Sequence, residues 1–235
     1  MKTTSNKLPR RLVLGLIPFL FLAPLPAQDK EAPKVGFIRL VNAVAPGTGN
    51  LHLKIDGDEM YAKGYTLGQR TGGIGLIAGS KKVTVIKEGV EEGSTSVQLN
   101  NGETVTIIAF AEKIPAEDDK PERWEAKILR LKQRDVEKGY RLTVLSVCKQ
   151  PEVLIETDIQ GREKPVGSGV KRMMTTTVDL GGSGGDINVR LRGKKEVLTS
   201  FRPDDPGNYV LLLYDDPDGE VRGIYFYDPK FVIAG

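Results

Sequence analysis

Two side chains that often carry catalysis each occur once in this chain. His52 is the only histidine and Cys148 the only cysteine among 235 residues. A single histidine excludes a histidine-rich zinc site, and we expect no Ser–His–Asp triad around this one. His52 lies between Leu51 and Leu53, and this alternation of polar and apolar residues predicts a strand on which His52 faces solvent. Cys148 ends the apolar run from Leu142, which predicts a small buried residue rather than a nucleophile.

Ser–Lys and paired-carboxylate catalysis need no histidine, so they have to be weighed separately. Ser80 and Lys81 are adjacent, but they follow Gly79 in a segment that reads as a tight turn. No carboxylate pair is marked by its spacing. We therefore predict that the protein is not an enzyme and that it has no catalytic, cofactor-binding or metal-binding residue. A histidine-independent hydrolase is the least favoured alternative, and paired carboxylates in a cleft of the folded protein would revive it.

The acidic segment 215–220 is the best candidate for a metal site. A calcium ion takes several oxygens from one loop, and an EF-hand places acids at its first, third and fifth positions before a glycine. With Gly219 in the glycine position, Asp216 and Asp218 fit, but Tyr214 occupies the first position. Proline and glycine in the same segment favour a hairpin turn. The sequence leaves open whether the Asp216/Asp218 turn binds calcium.

Three other segments could support binding. The glycine-rich run 181–185 has no Gly-Lys-Ser/Thr after it, so it reads as a flexible connection rather than a phosphate cradle. The charged segment Pro115–Arg123 predicts a mobile surface loop. Trp124, which follows this loop, suits either a partner anchor or, as we favour, a plug at a sheet edge.

Three aromatic residues near the C-terminus, Tyr225, Phe226 and Tyr227, alternate between the faces of a strand. At least one of them is therefore expected to be exposed, on a contact surface or at a join between domains.

The elements that would position these residues are β-strands. Short runs rich in Val, Ile, Leu, Thr and Tyr alternate with Gly, Pro, Asn and Asp clusters. The segment 122–136 is the best helical candidate, although 127–132 reads equally well as a strand. The predicted strands are Val35–Asn42, Leu51–Asp56, Lys82–Lys87, Thr95–Leu99, Thr104–Ala111, Ala126–Lys132, Tyr140–Cys148, Glu152–Asp158, Thr175–Leu180, Asp186–Leu191, Glu196–Phe201, Tyr209–Tyr214 and Val221–Tyr227.

The strand plan occurs twice. The stretch Arg39–Asn42 recurs as Thr143–Ser146, and the turn at Asp56 recurs at Gln160, both 104 positions later. The run that begins at Gly102 recurs 105 positions later. A repeat of this length predicts tandem domains rather than a solenoid, whose period is roughly 20–50 residues. We predict an all-β fold of two immunoglobulin-like or transthyretin-like β-sandwich domains, residues 28–138 and 139–235, after a signal peptide at 1–27. Alternating residues, such as Val83 with Val85 and Val105 with Ile107, should supply the facing inner surfaces.

The first 27 residues have the three zones of a secretory signal peptide. A basic segment precedes the apolar stretch Leu12–Leu25, and Ala27 is a small residue at the expected cleavage site. The apolar stretch has 14 residues, below the roughly 18–20 that a membrane-spanning helix needs, and an uncleaved anchor is the less favoured alternative. We therefore predict a periplasmic or extracellular protein with no membrane span after cleavage.

Charge and cysteine content limit the function classes. Four of the 34 basic residues and none of the 31 acidic residues lie in 1–27, so the remainder carries a net charge of −1. The basic character thus belongs to the export signal and gives no support to nucleic-acid binding. A single cysteine excludes an intramolecular disulfide. No Asn-x-Ser/Thr sequon is present, which fits a bacterial envelope better than a eukaryotic secretory route.

The first copy, residues 35–112, resembles a domain-of-unknown-function family of repeated β-sandwich modules in exported bacterial proteins. The family pattern is a strand ending in Val-Asn-Ala, a strand ending in Asp-Gly, an Ala-Gly turn and a late strand after glycine. The matching segments are Val41-Asn42-Ala43, Ile55-Asp56-Gly57, Ala78-Gly79-Ser80-Lys81 and Gly102-Glu103-Thr104-Val105-Thr106. The second copy departs from it, since Ser146-Val147 replaces Asn-Ala and Gln160 replaces the aspartate. The resemblance implies a sandwich fold and no particular activity.

These observations predict a non-enzymatic envelope protein that acts through protein–protein contacts or as a structural accessory. Exposed strand edges suit this role because a partner strand can be added there. The alternative is a ligand-binding or glycan-binding module. Aromatic residues make up only 6% of the chain, so that alternative ranks second.

Overall fold

The structure is a computed structural model that describes residues 33–229 apart from 48, 118–119, 134–137 and 183–184. The expectation of an all-β fold is confirmed, because the described residues form β-strands and no helix. None of them therefore lies in a helix long and apolar enough to cross a membrane. The proposed signal peptide, residues 1–27, lies outside the described residues.

Eight strands make up the first half of the described chain. In most of them apolar and polar side chains alternate, because only one face of the strand is buried. They are β1 (Val35–Ala43), β2 (His52–Ile55), β3 (Asp58–Glu59), β4 (Ile74–Ile77), β5 (Gly79–Lys87), β6 (Val90–Leu99), β7 (Thr104–Ile114) and β8 (Arg123–Lys132).

Eight further strands make up the second half. They are β9 (Tyr140–Ser146), β10 (Glu152–Ile159), β11 (Val166–Lys171), β12 (Thr175–Gly181), β13 (Ile187–Leu191), β14 (Val197–Phe201), β15 (Gly207–Asp215) and β16 (Val221–Tyr227). Every strand expected from the sequence is present. The segment that could have been helical is strand β8, and the sequence missed three short strands, β3, β4 and β11.

Both halves have the same strand order. In the first half, β3-β2-β5-β6 and β8-β7-β1-β4 are four-stranded units that a single parallel bridge, Glu91 to Glu125, joins into one eight-stranded sheet. In the second half, β11-β10-β13-β14 and β12-β9-β15-β16 are separate sheets. A Cβ at Gly93 would collide with the Ala126 carbonyl oxygen, so glycine allows β6 to approach β8 at the join.

The register is also the same. Strand β1 pairs in parallel with β7, and β9 pairs in parallel with β15. Leu40 lies opposite Ile107, and Val144 lies opposite Leu211. Shifting both members of the first pair by 104 residues gives the second, which matches the offset read from the sequence.

Each half buries its own apolar core between its two strand layers. The first core contains Val83, Val85, Val105 and Ile107, the residues expected to face inward. The second contains Leu142, Val144, Ile155 and Leu211 among others. A third cluster, which we call the shared core, combines residues of both halves: Val41, Ala43, Ile108, Phe110, Leu145, Val147, Val210, Leu212, Tyr214, Ile224 and Phe226.

Candidate functional site

The shared core arises because β1, β7, β9 and β15 are buried on both faces. Ile38 and Leu40 of β1 point into the first core, whereas Val41 and Ala43 point into the shared core. Strands buried on both faces appear in sequence as continuous apolar runs rather than alternating ones. The two halves therefore pack through the outward faces of their parallel strand pairs.

A buried ion pair crosses the contact between the halves. Arg39 Nη1 of β1 lies 2.8 Å from Asp228 Oδ1, just beyond β16, and both side chains are 3% exposed. The Arg39 guanidinium also lies over the Phe226 ring, 5.1 Å from its centroid. An ion pair this deeply buried is costly to break, because either partner alone would be left as an uncompensated charge.

A cleft of about 500 Å³ opens at one end of the shared core. Parallel pairing places the carboxyl ends of β1 and β7 together, and likewise those of β9 and β15. Packing through the shared core then brings both ends to one place. The floor contains Ala43, Phe110, Val147 and Tyr214, all buried, and Pro46 lies at the rim.

Trp124 forms one wall of the cleft. It stands at the start of β8 and pairs across the strands with Lys113 of β7. The Lys113 ammonium lies 6.0 Å from the centroid of the Trp124 ring, and the Lys149 ammonium, from the other half, lies 5.2 Å from it. Both distances suit cation–π attraction. Trp124 is half-buried and lines the cleft, and both interpretations drawn from the sequence, a partner anchor and a plug at a sheet edge, stay predictions.

The remaining polar groups of the cleft form one contact between the halves and two within the second half. Glu112 of β7 forms an ion pair with Arg172, whose Nε donates to the Cys148 carbonyl oxygen at 2.9 Å. Asp215 Oδ2 accepts the backbone N–H of Lys149 at 2.7 Å. Three acids and three bases line the cleft, so its formal charge is balanced.

The Asp216 carboxylate is occupied by hairpin contacts. Its Oδ1 accepts the backbone N–H groups of Asp218 and Glu220 at 3.0 and 2.9 Å, and its Oδ2 accepts from Arg222 Nε at 2.8 Å. The Arg222 guanidinium and these N–H groups hold the Asp216 pKa below its ordinary value. This geometry favours the hairpin interpretation over calcium. No group of three or more potential metal ligands occurs within the described residues.

The other chemically interesting residues lie outside the cleft. His52 Nδ1 lies 2.5 Å from Glu59 Oε1 on the neighbouring strand, with both side chains partly exposed. Ser80 and Lys81 lie inside strand β5 rather than at the tight turn expected from the sequence, and Lys81 Nζ lies 3.1 Å from Asp56 Oδ2. Cys148 is fully buried, and burial raises the pKa of its thiol to about 12. A protonated, buried thiol is not a nucleophile at neutral pH.

Three segments noted in the sequence take ordinary structural places. Gly181, the first residue of the glycine-rich run, ends β12, and Arg123, the last residue of the charged segment, begins β8; residues 183–184 and 118–119 lie outside the described residues. At the end of β16, Phe226 lies in the shared core, whereas Tyr225 is exposed and stacks on Phe201 with ring centroids 4.8 Å apart. The C-terminal aromatics thus contribute both to the contact between the halves and to the surface.

Sequence reasoning missed the cleft, although it singled out Trp124 and the Asp216 segment. Lys113, Lys149, Glu112 and Arg172 carry no local motif. The only usable signal was the continuous apolar character of the paired strands, which indicates burial on both faces.

Comparisons with known proteins add little. No family model matches the chain, and no curated protein matches it. The Bacillus anthracis TIE protein, a solved structure, is 9% identical over 76% of this chain and 50% of its own, with a TM-score of 0.25. This chain therefore spans about half the length of that protein, and a likeness so low carries no argument about fold or function. The resemblance of residues 35–112 to an exported bacterial family stays a prediction.

Proposed function

We propose that this is an exported, non-enzymatic protein of the bacterial envelope that works by binding, with the cleft between its halves as the binding site. The proposal includes cleavage of residues 1–27 and a periplasmic or extracellular location. Sequencing the N-terminus of protein purified from the envelope tests both. A mature chain that begins near Gln28 is expected, and an intact Met1 in a cytoplasmic fraction would contradict it.

We further propose that residues 28–138 and 139–235 are tandem sandwich domains. The support is the shared strand order, the common 104-residue offset and a separate core in each half. Four strands in each layer and a parallel pair differ from the immunoglobulin constant scheme of four plus three antiparallel strands. Of the two sandwich types considered from the sequence, the transthyretin-like one is therefore favoured.

The observation that carries the binding proposal is the composition of the cleft. A tryptophan between two lysines, above an apolar floor, combines an aromatic contact surface with charged donors. Cavities of this size with a few placed polar groups are the usual form of ligand sites. The only histidine and the only cysteine lie outside the cleft, and each of its three carboxylates is engaged: Glu112 by Arg172, Asp215 by a backbone N–H and Asp216 by Arg222. This geometry favours ligand binding over the structural accessory that ranked first on sequence alone.

A contact through a sheet edge is the second candidate. Strand β4 is an edge strand, and its Ile77 is 67% exposed. An exposed apolar side chain on an unpaired edge suits strand addition by a partner protein.

Site-specific photo-crosslinking in the native envelope separates the two candidates. A photoreactive amino acid replaces Pro217 at the cleft, Ile77 at the β4 edge or Lys194 in a turn that does not line the cleft. We expect a discrete crosslinked product from position 217, and none from 77 or 194. A product from position 77 alone would favour the edge contact, and equal labelling from 217 and 194 would contradict a binding cleft.

A further inference from the structure

The acidic side chains that line the cleft have partners, whereas one of its lysines has no ion pair among the described residues. Each lining acid has a partner of its own: Glu112 has Arg172, Asp215 has a backbone N–H, and Asp216 has Arg222. By contrast, no carboxylate in the described part of the chain lies within ion-pair distance of the Lys149 ammonium, which rests over the Trp124 ring. The Lys149 ammonium is therefore available to an anionic ligand, whereas Glu112 and Asp216 are neutralised by arginines and Asp215 is held by a backbone N–H.

Lys113 adds a second available cation. Its ammonium lies 2.6 Å from Glu122 Oε1, but the two side chains are 46% and 55% exposed. Exposed pairs of this kind contribute little and are screened by salt, so a ligand carboxylate can replace Glu122 at small cost. Two ammonium groups on the tryptophan wall can thus donate to the same ligand.

The cleft lies where two strand pairings end. Pairing of β7 with β1 stops at Phe110, and pairing of β15 with β9 stops at Leu213, so Lys113 and Asp215 lie beyond them. The side chains of Trp124, Lys113 and Lys149 are the groups that indicate the class of ligand. An indole ring beside donors suits a sugar ring, which has an apolar face and polar substituents at its edge.

We propose that the cleft binds an acidic oligosaccharide, whose carboxylates accept hydrogen bonds from Lys149 and Lys113 while a sugar ring lies against Trp124. The inference rests on the proposed function and specifies the ligand class. Charge-assisted hydrogen bonds are among the stronger polar contacts, and an aromatic wall with two lysines favours anionic over neutral sugars.

Trp124 is the only tryptophan, so its fluorescence reports on the cleft directly. The mature protein is titrated with trigalacturonate, with its uncharged methyl ester and with triglutamate. We expect saturable quenching or enhancement with trigalacturonate, at least tenfold weaker binding of the ester, and loss of affinity between about 0.05 M and about 0.5 M salt. Equal binding of the ester would overturn the charge selection, and binding of triglutamate alone would overturn the sugar class.

Matched lysine variants test the residues. Lys149→Met should weaken trigalacturonate binding about tenfold, as expected for loss of a charge-assisted hydrogen bond, whereas Lys194→Met should leave it unchanged. Equal affinity of the Lys149→Met variant and the wild type would overturn the assignment. The outcome is separable from the proposed function: specific crosslinking from position 217 without trigalacturonate binding refutes only the ligand class, whereas absence of crosslinking refutes the cleft as a site.

Discussion

The two halves share a strand order, and their inward-facing polar residues perform matching tasks with different side chains. Asn42 Oδ1 accepts the backbone N–H of Val44 at 3.0 Å, and 104 positions later Ser146 Oγ accepts that of Cys148 at 3.3 Å. Val44 and Cys148 are both fully buried. Cys148 thus occupies an apolar packing position equivalent to that of Val44.

The turns after β2 and β10 behave in the same way. Asp56 Oδ1 accepts the backbone N–H of Lys82 at 2.8 Å, and Gln160 Oε1 accepts that of Asp186 at 3.0 Å. The replacement of aspartate by glutamine, which looks like a departure in sequence, preserves the hydrogen bond. Asp56 also has a positive φ of 53°, and a glycine follows it, as a tight hairpin turn requires.

The halves differ most on the faces that they turn toward each other. Arg39 forms the buried ion pair of the shared core, whereas its counterpart Thr143 donates to Asn208 Oδ1 within its own half at 2.8 Å. The two halves thus keep the same hydrogen bonds within each fold, although the side chains that make them differ. On the faces that contact each other, equivalent positions make different contacts.

Removal of Asp228 should have the largest effect. We expect Asp228→Ala to lower the free energy of unfolding by about 3–5 kcal/mol, because it removes a buried carboxylate that pairs with the buried Arg39 guanidinium. Urea denaturation measures the change. The double variant Arg39→Met/Asp228→Leu removes both charges and should recover most of the loss. A loss below about 1 kcal/mol in the single variant would contradict the role of this pair in holding the halves together.

Most of the strand plan could be predicted from the sequence because strands with one buried face alternate. The three missed strands lie at sheet edges. Strand β3 has two residues, and β4 and β11 are glycine-containing, so none shows the alternation that a half-buried strand needs. Edge strands are paired on one side only, and their sequence is correspondingly less constrained.

The cleft could not be predicted because it depends on how the halves pack. Trp124 and Lys113 are neighbours through one antiparallel pairing, which hairpin reasoning can reach. Lys149 joins them only because β9 and β1 turn their outer faces to the same shared core. That contact spans both halves and has no signature within any single segment.

Asn42 and Ser146 each accept the backbone N–H two residues later. Removing this side chain should lower the free energy of unfolding more in the first half than in the second. Asn42 also donates through Nδ2 to the Tyr65 carbonyl oxygen at 2.9 Å, whereas the Ser146 hydroxyl contacts only Cys148 among the described residues. We expect Asn42→Ala to cost about 2 kcal/mol and Ser146→Ala about 1 kcal/mol, measured by urea denaturation. Asn42→Ser, which imitates the second half, should fall between the wild type and Asn42→Ala. A larger loss for Ser146→Ala would contradict the comparison.

Replacing the buried polar residue Thr157 of the second half with an apolar residue should raise the free energy of unfolding. Thr157 is fully buried, and its hydroxyl has no hydrogen-bond partner in the described structure, while its counterpart in the first core is Leu53. We expect Thr157→Val to raise the free energy of unfolding by about 1 kcal/mol, because the shape is kept and an unsatisfied group is removed. Thr157→Ser, which keeps the hydroxyl and loses a methyl group, serves as the control and should destabilise. Destabilisation by Thr157→Val would show that the hydroxyl has a partner.

The smallest expected difference is an acid dependence of the turn after β2, where the first half has Asp56 and the second has Gln160. The Lys82 backbone N–H and the Lys81 ammonium hold the Asp56 pKa below its ordinary value. The stabilisation is therefore complete above the ordinary aspartate pKa and is lost as the pH falls through the lowered one. Replacing Asp56 with Gln should remove this dependence, so the stability difference between wild type and variant should shrink between about pH 5 and pH 3. Gln160→Asp should introduce a weaker version, since glycine occupies the position equivalent to Lys81. Denaturation across this range measures both variants, and a difference that stays constant with pH would show that the Asp56 carboxylate does not distinguish the halves.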